Sequence, residues 1–195
     1  MAALAAGADW PVWSGHQADA QALPFDDATF DRVTSKLGAM YFTDIQLALS
    51  EIRRVLRPGG RVALACWGPA EQSPYSLHLL GPFLARVELP ASPPDMPGPF
   101  RFAQSGTLGD ELRRAGFSAV EEQLQIVPMP WAGPPEEVWL NFYDVARPVR
   151  PLIDGLDAEE RDAAVGEVLA GLRSYYDGTH TSPPGAFVIA SGPRE

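Results

Sequence analysis

The side chains best suited to acid–base or nucleophilic chemistry in this sequence are three histidines and one cysteine, and they lie far apart. His16, His78 and His180 lack the spacing that would let them share a metal ion. His78 is the one histidine expected near a pocket, although a packing or surface position is the alternative interpretation. Cys66 lies near the end of an apolar run, which predicts a small buried side chain rather than a nucleophile. These residues therefore identify no general base and predict no metal site.

Pairs of acidic residues also occur, and each has a plain structural interpretation. Asp26 and Asp27 have the composition of a turn, while the pairs at 121–122 and 159–160 are expected to lie on solvated faces. A proline-rich stretch at 90–99 cannot form regular structure. It is expected to be a loop that serves either as a substrate lid or as a passive connection.

The composition is typical of a globular protein with an acidic surface. Hydrophobic residues make up 46% of the 195 residues, and the formal net charge is −10. This charge argues against a nucleic-acid backbone or an anionic membrane as a partner. No stretch approaches the roughly 20 apolar residues of a membrane span, and residues 1–8 make a poor signal peptide. A single cysteine excludes an intrachain disulfide, so we expect a reducing, cytoplasmic setting.

One helix and two strands are the clearest elements that would position such residues. Apolar residues recur with a 3.6-residue period over about 44–57, which predicts an amphipathic helix that Thr43 or Asp44 can cap. The nearly unbroken apolar run at 61–67 is typical of a strand buried on both faces. A short strand at 30–35 precedes the helix. Strand, helix and strand in this order predict a βαβ unit, and therefore an α/β protein with a parallel sheet.

Weaker patterns outline the rest of the chain. A helix over 75–86 is expected to break at Pro82, and a helix that begins at Asp157 is expected to end near Gly178. The remaining predicted elements are strands at 11–17, 117–127 and 185–191 and helices at 107–115 and 135–146.

Two stretches of the sequence resemble the motifs of a known family. Residues 19–27 (Asp-Ala-Gln-Ala-Leu-Pro-Phe-Asp-Asp), followed by Phe30-Asp31, resemble the second cofactor motif of the ubiquinone/menaquinone-biosynthesis-type methyltransferases. Residues 51–61 (Glu-Ile-Arg-Arg-Val-Leu-Arg-Pro-Gly-Gly-Arg) resemble the next landmark of that family, at a similar spacing. On these residues the chain is identified as a member of the class I S-adenosylmethionine-dependent methyltransferases of type 11, and the match is firmest over 12–67.

The resemblance implies a doubly wound, Rossmann-like sheet with the spatial strand order 3-2-1-4-5-7-6. The family's third to seventh strands, in sequence order, fall here at 11–17, 29–35, 61–67, 117–127 and 185–191. Its first two strands and its Gly-x-Gly turn would precede residue 1. We therefore expect a partial, N-terminally truncated sheet without the glycine-rich loop that holds the cofactor. Residues 1–195 are then one incomplete domain with a proline-rich, lid-like insertion around 68–105.

The resemblance also assigns a cofactor site. Asp19 would accept a hydrogen bond from the adenine amino group of S-adenosylmethionine, and the Ala20 N–H would face a ring nitrogen; a turn-forming aspartate is the alternative. The methionine part of the cofactor would contact the loop after the fourth strand, although an ordinary loop is equally expected, at Ser35, Lys36 and Leu37. Residues 40–42 (Met-Tyr-Phe) either line a pocket for the acceptor or are core residues.

Three functional interpretations stay open. In the first, the chain is a methyltransferase for a small-molecule acceptor that is not competent alone, because the cofactor loop is absent. In the second, it is a non-catalytic binding or oligomerisation partner of a full-length methyltransferase. In the third, it is a degraded gene product. The missing strands also predict a free sheet edge at 29–35, which either residues 11–17 or a second chain would pair.

Overall fold

A computed structural model describes residues 14–87 and 96–195. The helices in this part of the chain are α1 (Ile45–Val55), α2 (Pro74–Leu84), α3 (Thr107–Arg114), α4 (Pro135–Val145), α5 (Arg150–Asp154) and α6 (Ala158–Leu172). The strands are β1 (Phe30–Lys36), β2 (Leu56–Trp67), β3 (Glu121–Pro128), β4 (Trp131–Ala132), β5 (His180–Thr181) and β6 (Pro184–Pro193). No helix among these residues combines the length and the apolar composition that a membrane crossing requires.

The four longest strands form one mixed sheet in the order β1-β2-β6-β3. β1 and β2 run parallel, with Val33 opposite Val62, whereas β6 is antiparallel to both β2 and β3. A parallel pair needs a crossover connection, and α1 supplies it. This is the spatial order expected for the fourth, fifth, seventh and sixth strands of the family that the sequence resembles. The predicted α/β class is confirmed. The small separate sheet of β4 and β5 was not predicted.

One face of this sheet is covered by α1 and α3. Helix α1 begins as predicted, because the Asp44 side chain accepts a hydrogen bond from the backbone N–H of Leu47 (2.9 Å). The apolar sides of both helices pack against alternate residues of β2 and β6. Buried residues of this cluster include Ile45, Leu49, Ile52, Val62, Leu64, Cys66, Leu108, Leu112 and Val188.

The opposite face of the sheet is open over its centre. The β2 residues Ala63 and Ala65 point to this face and are only half-buried, and Thr34 and Gln123 of the neighbouring strands are exposed beside them. The prediction that residues 61–67 are buried on both faces is therefore wrong. An apolar run makes burial favourable, but in the described part of the chain no helix packs over these alanines.

A second hydrophobic cluster joins α2, α4, α5 and α6 beside the sheet. Phe83 of α2 stacks on Trp139 of α4, with 5.3 Å between ring centroids. Contrary to prediction, α2 continues through Pro82. Pro82 lies in the last turn, where the burial of Phe83 outweighs one missing backbone hydrogen bond. The buried members of the cluster are Leu79, Phe83, Val138, Phe142, Ile153, Leu156, Ala164, Val168 and Leu172.

The structure also corrects the predicted strand at 11–17. Residues 14–17 are exposed coil, and residues 11–13 lie outside the described residues. Pairing of this segment with 29–35 is therefore wrong over 14–17. Within the described residues β1 pairs with β2 only, so its other edge is free. Nothing in the sequence of 14–17 buries apolar surface, which leaves the segment without a force to hold it in a sheet.

Two further boundaries move for local reasons. β3 begins at Glu121 rather than at 117, because Gly116 and Ala119 adopt positive φ values (82° and 40°) that turn the chain before the strand. Helix α6 ends at Leu172, followed by a short 3₁₀ turn, and does not reach the vicinity of Gly178. The predicted helices at 107–115 and 135–146 and the strand at 185–191 are confirmed as α3, α4 and β6.

Candidate functional site

The carboxyl ends of the parallel strands β1 and β2 meet at one edge of the sheet, where the candidate site lies. Lys36 ends β1 opposite Ala65 of β2. Leu37 then adopts a left-handed conformation (φ 58°), and its N–H donates a hydrogen bond to the Ala65 carbonyl (2.7 Å). Residues other than glycine rarely take this conformation. It bends the chain so that Lys36 and Leu37, although adjacent, line two different cavities.

The first of these, the apolar cavity, has a volume of about 250 Å³ and lies between the sheet edge and the second cluster. Its described lining carries no charged side chain; it consists of Leu37, Met40, Tyr41, Trp67, Tyr75, Ser76, Leu80, Pro99, Phe100, Phe142, Val145, Ala146, Pro148 and Val149. Such a lining favours a neutral, mostly apolar small molecule. Of the Met-Tyr-Phe residues at 40–42, the first two line this cavity, whereas Phe42 packs against the core of the covered face.

Aromatic rings line the junction of the apolar cavity and its neighbour. The Trp67 ring stacks on Tyr75 (5.6 Å between centroids) and on Phe187 (4.9 Å), and Tyr75 meets Phe142 edge-on (6.5 Å). Tyr75 borders both cavities. Burial raises the pKa of Tyr75 and of Tyr41 above the ordinary phenol value, so both hydroxyls stay protonated at neutral pH.

The second cavity, which we call the Lys36 cavity, has a volume of about 590 Å³ and lies on the open face at the same edge. Lys36 is the charged residue of its described lining, beside the side-chain amides of Gln125 and Asn141. Lys36 makes no salt bridge with any residue that the structure describes. An unpaired ammonium between amides and the rings of Tyr75, Trp131 and Phe187 suits a ligand that combines a carboxylate with an apolar body.

The turn at Asp19 lies at this edge as well. Gln21 accepts a hydrogen bond at Oε1 from the backbone N–H of Asp44 (2.9 Å), and Asp44 starts α1 on the carboxyl side of the sheet. Asp19 Oδ1 accepts from the Gln21 N–H (2.9 Å), and the Ala22 N–H donates to the Asp19 carbonyl (3.0 Å). Asp19 therefore forms a turn, as in the alternative to a cofactor contact that the sequence left open. Its carboxylate stays exposed to solvent.

The remaining predicted site residues are divided between surfaces. Ala20 is half-buried in the Asp19 turn. Ser35 points to the covered face and lines neither cavity. Its Oγ packs close to Gly38, where a Cβ atom would come within 2.9 Å of it. The structure thus brings Asp19, Ala20, Lys36 and Leu37 to one edge and turns the Ser35 side chain away from it.

Cys66 and His78, which lie nearest to this region, are packed away from both cavities. Cys66 is buried on the covered face, where burial raises the pKa of its thiol to about 11, so it is a poor nucleophile at neutral pH. His78 packs between α2 and α6, against Gly171 and the ring of Tyr175 (5.6 Å between centroids). Burial lowers the pKa of His78, which disfavours its charged form. It lines neither of the two cavities.

Sequence reasoning missed Tyr75 and Phe142. Both lie on helices whose existence was predicted, but only the packing of α2 and α4 beside the end of β2 brings the Tyr75 ring to Trp67 and the Phe142 ring to Tyr75. One signal was present for Tyr75, because a helix that starts soon after a strand's carboxyl end places its first turn near that edge. Phe142 carries no such signal.

Part of the sequence matches a known protein family. Residues 2–64 match the family described as a methyltransferase domain. The demethylmenaquinone methyltransferase of Thermus thermophilus is 44% identical over 61 residues, which cover 31% of this chain and 28% of that protein. The corresponding Streptomyces avermitilis enzyme is 36% identical over 114 residues, which cover 52% of this chain and 48% of that protein. These matches therefore span less than half of either relative.

Two solved structures match this chain over most of its length. The YcgJ protein of Bacillus subtilis matches with 19% identity and a TM-score of 0.48, over 92% of this chain and 70% of that protein. A methyltransferase-like protein of Bacillus halodurans matches with 18% identity and the same TM-score of 0.48, over 91% and 70% of the two chains.

Proposed function

We propose that this chain, which resembles the class I S-adenosylmethionine-dependent methyltransferases, takes part in methyl transfer to a small, mostly apolar molecule. In this proposal the Asp19 turn and Lys36 hold the cofactor, and the apolar cavity holds the acceptor. One observation carries the proposal: the two cavities adjoin at the carboxyl ends of β1 and β2 and share Tyr75. Ligands of α/β sheets bind at that edge of the strands.

The residues at this edge have the chemistry that the cofactor requires. The exposed Asp19 carboxylate still has acceptor capacity, because among the described residues its Oδ2 contacts only the Gln21 side-chain amide, at 3.5 Å. In this proposal the Ala20 N–H faces a ring nitrogen of the adenine. The Lys36 ammonium has no partner among the described residues, and it is available to a carboxylate. Leu37 would contact the acceptor side rather than the methionine part.

S-adenosylmethionine supplies an electrophilic methyl group bonded to a sulfonium. This chain's own contribution is to orient the two reactants and to exclude water from the space between them. Trp67, Tyr75 and Phe187 form an aromatic wall along this space, and Tyr75 borders both cavities. The phenols at this wall stay neutral, and no side chain of the described apolar cavity acts as a strong base. An acceptor that needs no base, or whose proton leaves to solvent, fits this site.

A thermal melt of this chain with and without S-adenosylhomocysteine tests the cofactor part of the proposal. A ligand at about 100 times its dissociation constant adds about 2.7 kcal/mol to the free energy of unfolding. For a domain of this size the melting temperature should rise by roughly 5–10 °C. Asp19→Ala should reduce the shift, whereas Asp26→Ala, which removes another exposed turn carboxylate, should leave it unchanged. A cooperative melt without any shift in the unaltered chain would contradict the proposal.

A second variant separates the acceptor from the cofactor. Ala146→Trp fills much of the apolar cavity with an indole ring. Methylation of acceptors should then fall, while the shift with S-adenosylhomocysteine persists. Loss of both together would mean that the two ligands do not occupy separate cavities.

The free edge of β1 favours a second candidate function, in which the chain is a binding or oligomerisation partner. Unpaired backbone groups on an edge strand can pair with another chain, and β1 has no partner on that side among the described residues. Light scattering would then give twice the mass of one chain, and Thr34→Lys, which adds a charge to the edge strand, should restore the single-chain mass. A single-chain mass at all concentrations, without binding to a full-length methyltransferase, would overturn this candidate.

A further inference from the structure

The two sequence stretches that carry the family resemblance are in direct contact in the fold. Residues 19–29 run along α1 towards the start of β1, and the charged residues of α1 bind their backbone. Arg54 donates hydrogen bonds to the carbonyls of Leu23 (3.0 Å) and Phe25 (2.8 Å) and to the carboxylate of Asp27 (2.7 Å). Every terminal nitrogen of this guanidinium is therefore engaged.

Glu51 completes the arrangement from the same helix. It forms a bidentate pair with Arg54, with 2.7 Å from Nε to Oε1 and 2.9 Å from Nη2 to Oε2. Glu51 Oε2 also accepts a hydrogen bond from the Leu23 N–H (2.9 Å). The backbone donor and acceptor of Leu23 are thus both bound by one ion pair, whose side chains are 32% exposed for Arg54 and 18% exposed for Glu51.

Leu23 stands directly after the turn that holds Asp19. The turn closes between Asp19 and Ala22, and Gln21 ties it to the first turn of α1 through Asp44. The turn is therefore bound to α1 at two points, one within the turn at Gln21 and one just after it at Leu23. Because α1 itself packs on the sheet, these two points determine where Asp19 stands relative to the end of β1.

We infer that Glu51 and Arg54 are positioning residues for the Asp19–Ala20 turn, and that the pair sets the turn's place at the cofactor edge. They touch no reacting group in this arrangement and act through the backbone of Leu23. The inference deepens the proposed function, and its cofactor readout rests on that function. Its structural readout does not, because the order of the turn can be measured without any ligand.

Arg57 offers a matched control on the same helix–strand junction. It pairs with Asp31 (2.8 Å) and donates to the carbonyls of Thr29 (3.2 Å) and Ala28 (3.4 Å). These contacts resemble those of Arg54 in kind, but they hold the start of β1, at the far end of α1 from the Asp19 turn. A variant at Arg57 should therefore reduce stability without disturbing the turn.

The experiment compares Arg54→Met with Arg57→Met by backbone amide NMR. Order parameters of residues 19–23 should fall from about 0.85 to below about 0.6 in Arg54→Met and stay near the unaltered value in Arg57→Met. Glu51→Gln, which keeps an oxygen for the Leu23 N–H, should lie between them and serves if Arg54→Met does not fold. The inference would be overturned if the order parameters of residues 19–23 were equal in all folded variants. It would also be overturned if those order parameters fell only in proportion to the loss in melting temperature.

The cofactor readout uses two ligands that differ at the adenine amino group. S-inosylhomocysteine carries an oxygen where S-adenosylhomocysteine carries that group, so a correctly placed Asp19 should prefer the latter by about tenfold or more. Arg54→Met should lose this preference, and Arg57→Met should keep it. Retained preference in Arg54→Met would overturn the inference. If the unaltered chain binds neither ligand, the proposed function fails, and the order parameters alone decide the role of the pair.

Discussion

The two faces of the four-stranded sheet are made by the same strands and differ in what lies above them. On the covered face, Val62, Leu64 and Cys66 of β2 are at most 1% exposed beneath α1 and α3. On the open face, Ala63 and Ala65 between them remain half-buried. An apolar strand sequence therefore permits burial on both faces, but each face is buried only if another element packs against it. Four predictions use this contrast, and they follow in order of decreasing effect.

Truncation of a side chain should cost far more on the covered face. Leu64→Ala leaves a cavity beneath α1 and should lower the free energy of unfolding by about 2–5 kcal/mol, since Leu64 is 1% exposed. Ile189→Ala, on the half-buried opposite face, should cost about 1 kcal/mol because solvent already reaches the site. Urea denaturation measures both. Equal losses would mean that the open face is covered in solution.

Thiol reactivity provides a second test at adjacent positions. Cys66 should react with an aromatic disulfide at about pH 8 roughly a hundred times more slowly than an ordinary thiol, because burial raises its pKa to about 11. Ala65→Cys places a second thiol one residue away on the open face, and it should react at an ordinary rate. Two slow thiols in this variant would contradict the contrast between the faces.

Arg194, which follows β6, anchors the end of α1 on the covered face. Its Nη1 donates to the carbonyls of Arg53 (2.7 Å) and Arg54 (2.9 Å), and also to that of Leu56, at the end of α1. These carbonyls have no partner within the helix. Arg194→Met should lower the free energy of unfolding by about 1.5–3 kcal/mol. Arg114→Met, which alters a side chain that is 65% exposed, should change it by less than about 0.5 kcal/mol. Similar melts for both variants would refute the anchoring role.

The smallest expected effect concerns the caps of two helices. Asp44→Ala and Asp157→Ala each remove a side chain that accepts a hydrogen bond from a first-turn N–H, of Leu47 and Glu160 respectively. Each should cost about 1 kcal/mol. Hydrogen exchange should tell them apart, because only Asp44→Ala loosens the helix above β2. Faster exchange of β2 amides in Asp157→Ala would show that the two clusters do not unfold separately.

Local patterns predicted most of the elements, because they record interactions within a few residues. The Asp44 cap and the 3.6-residue period are such interactions, and α1 begins where they predict. The strand at 11–17 and the break at Pro82 failed for the opposite reason. A strand is stable only beside another strand that pairs with it. The free-energy cost of a proline in a helix can be outweighed by packing against residues distant in sequence. Neither effect can be judged from adjacent residues alone.

The candidate site was predictable only in part. The resemblance pointed to residues 19–20 and 35–37, and the structure brings four of these five to one edge, but whether they bind the cofactor remains a prediction. The left-handed turn at Leu37 carried no sequence signal, since glycine is the residue usual in that conformation and Gly38 stands next to it. The aromatic wall also required the fold, because Tyr75 and Phe187 are more than a hundred residues apart.

The α/β class, the course of α1 and the two motifs could be predicted from the sequence, because each depends on local periodicity or on a contiguous run of residues. The covered face of the sheet, the positions of the two cavities and the contact between the two motifs arise only from packing in the fold. Glu51 and Arg54 lie 28 and 31 residues after Leu23, yet they bind its backbone. Packing of α1 against the sheet creates that contact, and no local preference encodes it.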